Sequence, residues 1–198
     1  MAYLSDFFPM VLSSAPACPD PTAEQWIRQA AIEFCTRTRM WRETDEFQAD
    51  GHPIEVICVP ENSALHEIES AWFNDHQLEP GQYSKVGNLT GGQPRYITQV
   101  GPDRFNLTPP EAGTFRVNMF LKPSRVADEL PDFLLEHHEQ TIADGALARI
   151  LSLPEQGWTN PQLAAAHRQS FDADVNRLSA SNIRGQQRAP ARSRSQYF

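Results

Sequence analysis

The sequence predicts an α+β protein in which a helical domain is interrupted once by an inserted β domain. Apolar residues recur at helical spacing in residues 21–39 and again after residue 131, whereas residues 40–122 between them follow a period of two. A corner rich in Pro, Gly and Trp divides the second helical region. These observations predict three main helices, with an antiparallel β-sandwich or barrel-like insertion between helices 1 and 2. A basic, extended C-terminal tail follows them.

The clearest element is the C-terminal helical hairpin, Thr141 to Arg184. Pro154 and Gly157 end one helix, Trp158 lies in the corner, and Asn160-Pro161 supplies an N-cap followed by proline at the first helical position. The last helix then shows one apolar stripe and one polar face. The stripe is Leu163, His167, Phe171, Val175 and Leu178, and the opposite face carries Gln162, Arg168, Gln169, Asp172 and Arg177.

Gly145 lies in the interior of the preceding helix, which runs from Pro131 to about Leu153. Glycine there costs about 1 kcal/mol relative to alanine. We therefore predict that another helix approaches closely at Gly145.

The first main helix begins at Asp20-Pro21 and ends near residue 39. Its apolar stripe predicts that Trp26 and Phe34 are buried and hold this helix against the hairpin. Trp41 follows directly and is predicted to join the helical layer to the β region. A short amphipathic helix is predicted upstream, in residues 3–12.

Six strands are predicted between Met40 and Lys122. Gly- and Pro-containing turns separate them: Trp41–Phe47, Ile54–Val59, Leu65–Phe73, Tyr96–Val100, Arg104–Leu107 and Thr114–Leu121. The longest irregular stretch, residues 77–94, is polar and carries four glycines. We predict that it is an assembly or binding loop that becomes ordered only against a neighbour. The resulting boundaries are a discontinuous helical domain (1–39 with 123–185), a β domain (40–122) and a flexible tail (186–198).

The charge is distributed unevenly. The formal net charge is −8, yet the segment from Arg184 onward holds four arginines and no acid, so residues 1–183 carry about −12. An acidic body argues against general nucleic-acid binding, which requires clustered cations. Three cysteines at no metal-like spacing, Cys18, Cys35 and Cys58, predict free thiols in a reducing compartment, and no membrane span is expected.

No catalytic, cofactor or metal site is predicted. His137 and His138 are adjacent on a helix, where their side chains point about 100° apart and cannot face one ion. No nucleophile or phosphate-binding motif occurs. Acidic residues are frequent between residues 61 and 79, where the simplest interpretation is a solvated strand face: Glu61, Glu67, Glu69, Asp75 and Glu79.

Three segments together resemble the head–tail adaptor (connector) proteins of tailed bacteriophages. They are the first helix with its exit at Trp41-Arg42 (residues 18–42), the strand that exits at a proline (113–134), and the hairpin (142–177). Within the hairpin, the motifs ADGAL, LP and W-x-NP follow one another in the order found in that family, and W-x-NP begins the final helix. The resemblance spans nearly the whole chain, and residues 77–94 match least.

The resemblance implies a structural virion protein and not an enzyme. Such adaptors form homo-oligomeric rings, usually twelve-fold, beneath the portal protein. They bind a tail or nozzle protein below, and double-stranded DNA passes through the lumen during ejection without sequence-specific binding. The expected location is the head–tail interface of the virion, after assembly in the host cytoplasm.

The resemblance also implies that the C-terminal tail docks into the portal, as the C-terminal segments of similar adaptors do. The residues predicted to bind the portal are Arg184, Arg188, Arg192, Arg194, Tyr197 and Phe198. Arginine pairs with carboxylates and stacks on aromatic rings at interfaces, and the two terminal aromatics would serve as apolar anchors.

Two other hypotheses remain open on the sequence alone. One is a carbohydrate- or host-surface-binding β module, in which Trp72, Phe73 and Tyr83 form aromatic platforms. The other is an unrecognised hydrolase that uses the acidic strand residues. Glycan binding or substrate turnover would separate these from an adaptor.

Overall fold

A computed structural model describes residues 1–52, 54–55, 59–81, 92–101 and 104–182. Within them the chain forms two compact units, Met1–Met40 with the residues from Pro123 onward, and Trp41–Lys122. The predicted α+β class is confirmed. In chain order the elements are β1 (Ala2–Tyr3), α1 (Phe8–Leu12), α2 (Asp20–Thr38), β2 (Arg42–Asp50), β3 (Ile54–Glu55), β4 (Ser63–Phe73), β5 (His76–Gln77), β6 (Glu79–Pro80), β7 (Tyr96–Gly101), β8 (Arg104–Thr108), β9 (Ala112–Pro123), β10 (Glu129–Leu130), α3 (Asp132–Ile150) and α4 (Pro161–Asn182).

The helix boundaries follow the local signals closely. Proline lies in the first turn of α2, and α2 ends at Arg39, whose φ of 53° is left-handed. The predicted short helix in residues 3–12 is instead a 3-10 turn (Leu4–Phe7) that continues into α1. The described residues therefore contain four α-helices, the short α1 and the three longer helices α2, α3 and α4. No helix among the described residues has both the length and the apolar character that crossing a membrane requires.

The core of the first unit is centred on α3. Residues 141–148 are all buried, because α2 and α4 pack on α3 together with α1 and the 3-10 turn. Alanines at the contacts allow the helix axes to approach closely. The apolar side chains Phe34, Leu134, Ile142 and Phe171 fill the space between the helices.

A two-stranded sheet of β1 and β10 lies in the same unit. Ala2 pairs with Leu130 and Tyr3 with Glu129, in antiparallel register. The guanidinium of Arg28 on α2 donates to the carbonyl oxygen of Ala127 at 2.6 Å, which fixes the turn before β10. Sequence reasoning missed this sheet because a strand of two residues cannot show a period.

The second unit contains two four-stranded sheets, ordered β2-β9-β4-β5 and β3-β8-β7-β6. The long pair β2–β9 is antiparallel, from Arg42 opposite Phe120 to Asp50 opposite Ala112. Alternate residues of β9 are fully buried, which explains the period of two in the sequence: Phe115, Val117, Met119 and Leu121. How the two sheets stack, as a sandwich or as a barrel, remains a prediction.

Two features of this unit differ from the expectation. The segment predicted to be a loop from residue 77 begins with the end of β5 and then β6; residues 82–91 lie outside the described part. β6 also pairs with β7 in parallel, Glu79 with Tyr96 and Pro80 with Ile97, so the sheet is mixed and not wholly antiparallel. Of the predicted strand Ile54–Val59, Ile54–Glu55 forms β3, residues 56–58 lie outside the described part, and Val59 is not in a strand.

Candidate assembly site at the junction of three helices

Gly145 lies where α2, α3 and α4 meet. A Cβ atom added at this position would lie 2.8 Å from two ring carbons of Phe171 on α4 and 3.0 Å from the Cβ of Ala30 on α2. These distances are shorter than ordinary van der Waals contact, so only glycine fits the observed packing.

An ion-pair cluster lies across the same three helices. We use this name for Glu33, Arg37, Arg149, Arg168 and Asp172. Arg168 Nη2 donates to Glu33 Oε1 at 2.8 Å, and Arg168 Nε donates to Asp172 Oδ2 at 2.9 Å. Arg37 binds both carboxylates, and Arg149 binds Glu33 from α3. The cluster therefore ties α2 to both of the other helices.

Aromatic rings support the guanidinium groups of the cluster. Arg37 and Arg168 lie over the Phe171 ring, with distances of 5.9 and 5.4 Å from the guanidinium carbon to the ring centroid. Arg149 lies 5.6 Å over the ring of Trp26. Stacking of this kind orients the planar guanidinium for its hydrogen bonds and removes apolar surface from water.

The two carboxylates of the cluster are held in the ionised state. Partial burial acts to raise the pKa of Glu33, but hydrogen bonds from Arg168 and Arg149 and their charges lower it further than burial raises it. The pKa of Asp172 is also lowered, chiefly by its hydrogen bond from Arg37 and then, against some desolvation, by Arg168. Both groups therefore link folding to pH.

We predict that acid weakens the helical unit. Because both pKa values are lower in the folded state, the unfolded chain binds more protons in acid, so the stabilisation is complete above the ordinary Glu value of 4.5 and is lost as the pH falls through the folded values. The free energy of unfolding, measured by denaturant titration from pH 7 to pH 3, should fall below about pH 4.5. In Glu33→Gln the free energy of unfolding should fall less steeply with decreasing pH. An identical fall in both proteins would show that Glu33 does not contribute to it.

The cluster adds to the prediction for α4. Arg168 and Asp172 were placed on the polar face, and their side chains are 42% and 36% exposed, yet both bind side chains of α2. Leu163, assigned to the apolar stripe, is 37% exposed, whereas its neighbour Ala164 is buried. Helical periodicity gives the angle of a residue around its own axis but does not say how many neighbours surround the helix. A usable signal was the i,i+4 spacing of opposite charges in both helices.

His167 is paired with Asp144 on α3. Its Nδ1 lies 2.8 Å from Asp144 Oδ1, and the same oxygen accepts a hydrogen bond from Gln140 at 3.0 Å. The other ring nitrogen, Nε2, is buried and has no hydrogen-bond partner among the described residues. His167 is thus a hydrogen-bonded histidine between two helices, as its place on the stripe suggested.

The corner between α3 and α4 is fixed by side-chain caps. Asn160 Oδ1 accepts a hydrogen bond from the backbone N–H of Leu163 at 3.1 Å, and Pro161 is the first residue of α4. The Thr159 hydroxyl donates to the carbonyl oxygen of Leu153, and Trp158 is half-buried. Thr159, which sequence reasoning did not select, therefore closes the corner together with the predicted cap.

The aromatic residues that were predicted to be buried differ in exposure. Phe34 is fully buried, and its ring centroid lies 4.8 Å from that of His138. Trp41 is 5% exposed. Trp26 is only half-buried, since its ring lies beneath the partly exposed Arg149. The roles proposed for these residues in joining helices and units remain predictions.

The six residues predicted to bind the portal all lie outside the described part of the chain, which ends at residue 182. So does Tyr83. Of the other two aromatic residues suggested as a carbohydrate platform, Phe73 is fully buried and the Trp72 ring is covered by Arg116 at 4.9 Å. The acidic residues suggested for a hydrolase, from Glu61 to Glu79, are exposed. Among the described residues, no group of three or more His, Cys, Asp or Glu side chains could hold a metal ion.

The contacts that hold α2, α3 and α4 together are close helix packing and interhelical ion pairs. A family model described as SU10 adaptor protein matches residues 5–194. The chain therefore belongs to the SU10 adaptor protein family, a family of bacteriophage head–tail adaptors. The resemblance drawn from the sequence is confirmed. A search of curated proteins found no match.

Membership in this family identifies the protein as a phage adaptor and a component of the virion. It implies contacts with other virion proteins such as the portal and the tail, and it favours a structural role over catalysis.

Proposed function

We propose that this protein forms a ring of about twelve copies beneath the portal, links the portal to the tail or nozzle, and lets double-stranded DNA pass through its lumen. The match to the adaptor family over residues 5–194 carries this proposal. In this arrangement the residues of 1–39 and 123–185 act as the helical adaptor domain and those of 40–122 as the inserted β domain. The segment 186–198 is the C-terminal tail.

A ring subunit has to keep its shape while it contacts two neighbours through different faces. The close packing at Gly145 and the ion-pair cluster supply that rigidity, because together they hold α2, α3 and α4 against one another. Apolar packing holds the helices together, and the directional Arg–carboxylate bonds specify one arrangement of them.

The charge balance suits a DNA conduit. Residues 1–183 carry about −12, so a lumen lined by this body repels the phosphate backbone and does not retain it. Passage without sequence-specific binding follows, since base readout needs hydrogen-bonding side chains held against the grooves.

The basic tail is the proposed attachment to the portal. Residues 184–198 combine four arginines with Tyr197-Phe198 and contain no acid. Arginine forks pair with carboxylates of an acidic partner surface, while the aromatics exclude water around those pairs. Attachment should weaken with salt because charge attraction is screened.

We predict that deleting residues 186–198 abolishes attachment to the portal and leaves the melting temperature nearly unchanged. Co-sedimentation with purified portal at two salt concentrations measures attachment. Arg125→Gln, which removes an exposed arginine outside the tail, is the control and should attach normally. Normal attachment of the truncated protein would exclude the tail as the anchor. Normal attachment together with lost affinity for duplex DNA would assign the arginines to the genome.

A further inference from the structure

The most exposed surface of α4 is formed by uncharged residues over more than four turns. We call this surface the outer face of α4. From Pro161 to Asn176 the exposed residues are all uncharged, and Arg177 is the first exposed charge: Pro161, Gln162, Leu163, Ala165, Ala166, Gln169, Ser170, Ala173 and Asn176. At 1.5 Å per residue this surface is about 24 Å long.

The charged residues of the same stretch, Arg168, Asp172 and Asp174, are partly exposed beside this face, but each bonds to another helix. Arg168 and Asp172 bind Glu33 and Arg37 on α2, and Asp174 accepts from the hydroxyl of Thr141 on α3. A surface helix ordinarily places its charges outward and its alanines inward. In α4 the charges form interhelical bonds, and three alanines lie on the exposed side.

Some other exposed parts of the unit carry acidic residues. The exposed residues of α3 include Asp132 and Glu136, whereas the one exposed charge of α2 is Asp20 at its first residue. With a net charge of about −12 on residues 1–183, two copies of this chain repel each other when they approach through such surfaces. Two identical acidic bodies can meet through an uncharged surface without that cost.

We propose that the outer face of α4 packs against a second copy of this chain and forms part of the contact between subunits. The proposal rests on the proposed ring. Charge identifies the occupant. A basic partner would bind more tightly if this face carried acidic residues. A second acidic copy of the chain binds more tightly when the face carries none. The cores of protein interfaces are likewise depleted in charged residues. Alanine at Ala165, Ala166 and Ala173 leaves room for a neighbouring helix or strand to approach closely.

The test introduces one charge into the face and measures assembly on the portal. In Ala166→Glu, and equally in Ala166→Lys, the desolvated charge should raise the protein concentration needed for half-maximal ring formation by at least about tenfold. The melting temperature of the isolated subunit should change by less than about 3 °C, because the site is exposed. The lysine variant matters because it lowers the negative charge of the body, so a general charge effect would make it assemble better.

Gln169→Glu and Gln25→Glu are a matched pair. Both glutamines are exposed on helices, but Gln25 lies on α2 and outside the proposed contact. Only Gln169→Glu should impair assembly. In addition, a thiol introduced by Ala166→Cys should react with a maleimide in the free subunit and be protected in the ring, with the parent chain as the background for its own cysteines.

The outcomes separate this inference from the function on which it rests. If the parent protein forms rings, and the charged variants form them equally well with the introduced thiol still reactive, the outer face of α4 is not a subunit contact and the proposed ring stands. If rings form normally but the variants lose attachment to the portal or to a tail protein, the face belongs to that partner and the inference is wrong. If the parent protein forms no ring on its portal, both proposals fail.

Discussion

Replacing Phe34 with alanine is expected to lower the free energy of unfolding by about 3–5 kcal/mol. Phe34 is fully buried in α2, where its ring packs on His138 of α3. The substitution removes the apolar contacts of the ring and leaves a cavity that rigid neighbouring helices cannot fill. Denaturant titration at neutral pH measures the loss.

Trp26→Ala provides the comparison on the same helix. Trp26 is half-buried, so less apolar surface is lost and a smaller destabilisation is expected. If Phe34→Ala cost less than about 1 kcal/mol, Phe34 would not be a core residue of the helical unit. If both variants lost the same free energy of unfolding, side-chain exposure would not explain the size of the destabilisation.

Replacing Gly145 with leucine is expected to destabilise the protein by about 1–3 kcal/mol. Two effects oppose each other. Replacing a glycine in a helix with a better helix former stabilises the protein by up to about 1 kcal/mol. Against this, even the first added carbon would lie 2.8 Å from the Phe171 ring and 3.0 Å from Ala30, and leucine adds three more carbons at the junction of the helices. The steric effect is therefore the larger one.

Gly157→Leu is the matched control, since no atom lies within 4 Å of a Cβ built at Gly157. Its melting temperature should stay close to that of the parent protein, while that of Gly145→Leu falls by several degrees. Unchanged stability in Gly145→Leu would mean that the helices do not pack as closely at this point as the structure shows.

Much of the helical part was predictable because its signals are local. Asp20-Pro21, Pro131 and Asn160-Pro161 each mark a helix start within a residue or two of the observed one, since proline and a capping side chain act within a single turn. The long strands β4 and β9 were predicted for a similar reason, because alternation over eight or more residues distinguishes a strand from a helix.

The remaining features depend on contacts between residues far apart in the chain. β1 and β10 have two residues each and exist only because they pair across the unit. The parallel pairing of β6 with β7 depends on the path of the chain, which the residue pattern of the strands does not specify. The bond from Arg168 to Glu33 spans 135 positions, and periodicity within α4 alone does not indicate it.

The candidate site was predicted in part. Gly145 was selected from one glycine in a helix interior, and the structure places it at the three-helix junction. The ion-pair cluster and the uncharged outer face of α4 were not predicted, because each is defined by which side chains meet in space. Family membership was recognisable from the order and spacing of several weak motifs, and the family match agrees.

Electron microscopy of the purified protein mixed with its portal tests the central claim most directly. We expect a coaxial ring of adaptor subunits on one side of the portal ring, with an open lumen wide enough for duplex DNA. A portal that remains bare while the adaptor stays monomeric at saturating concentration would contradict it.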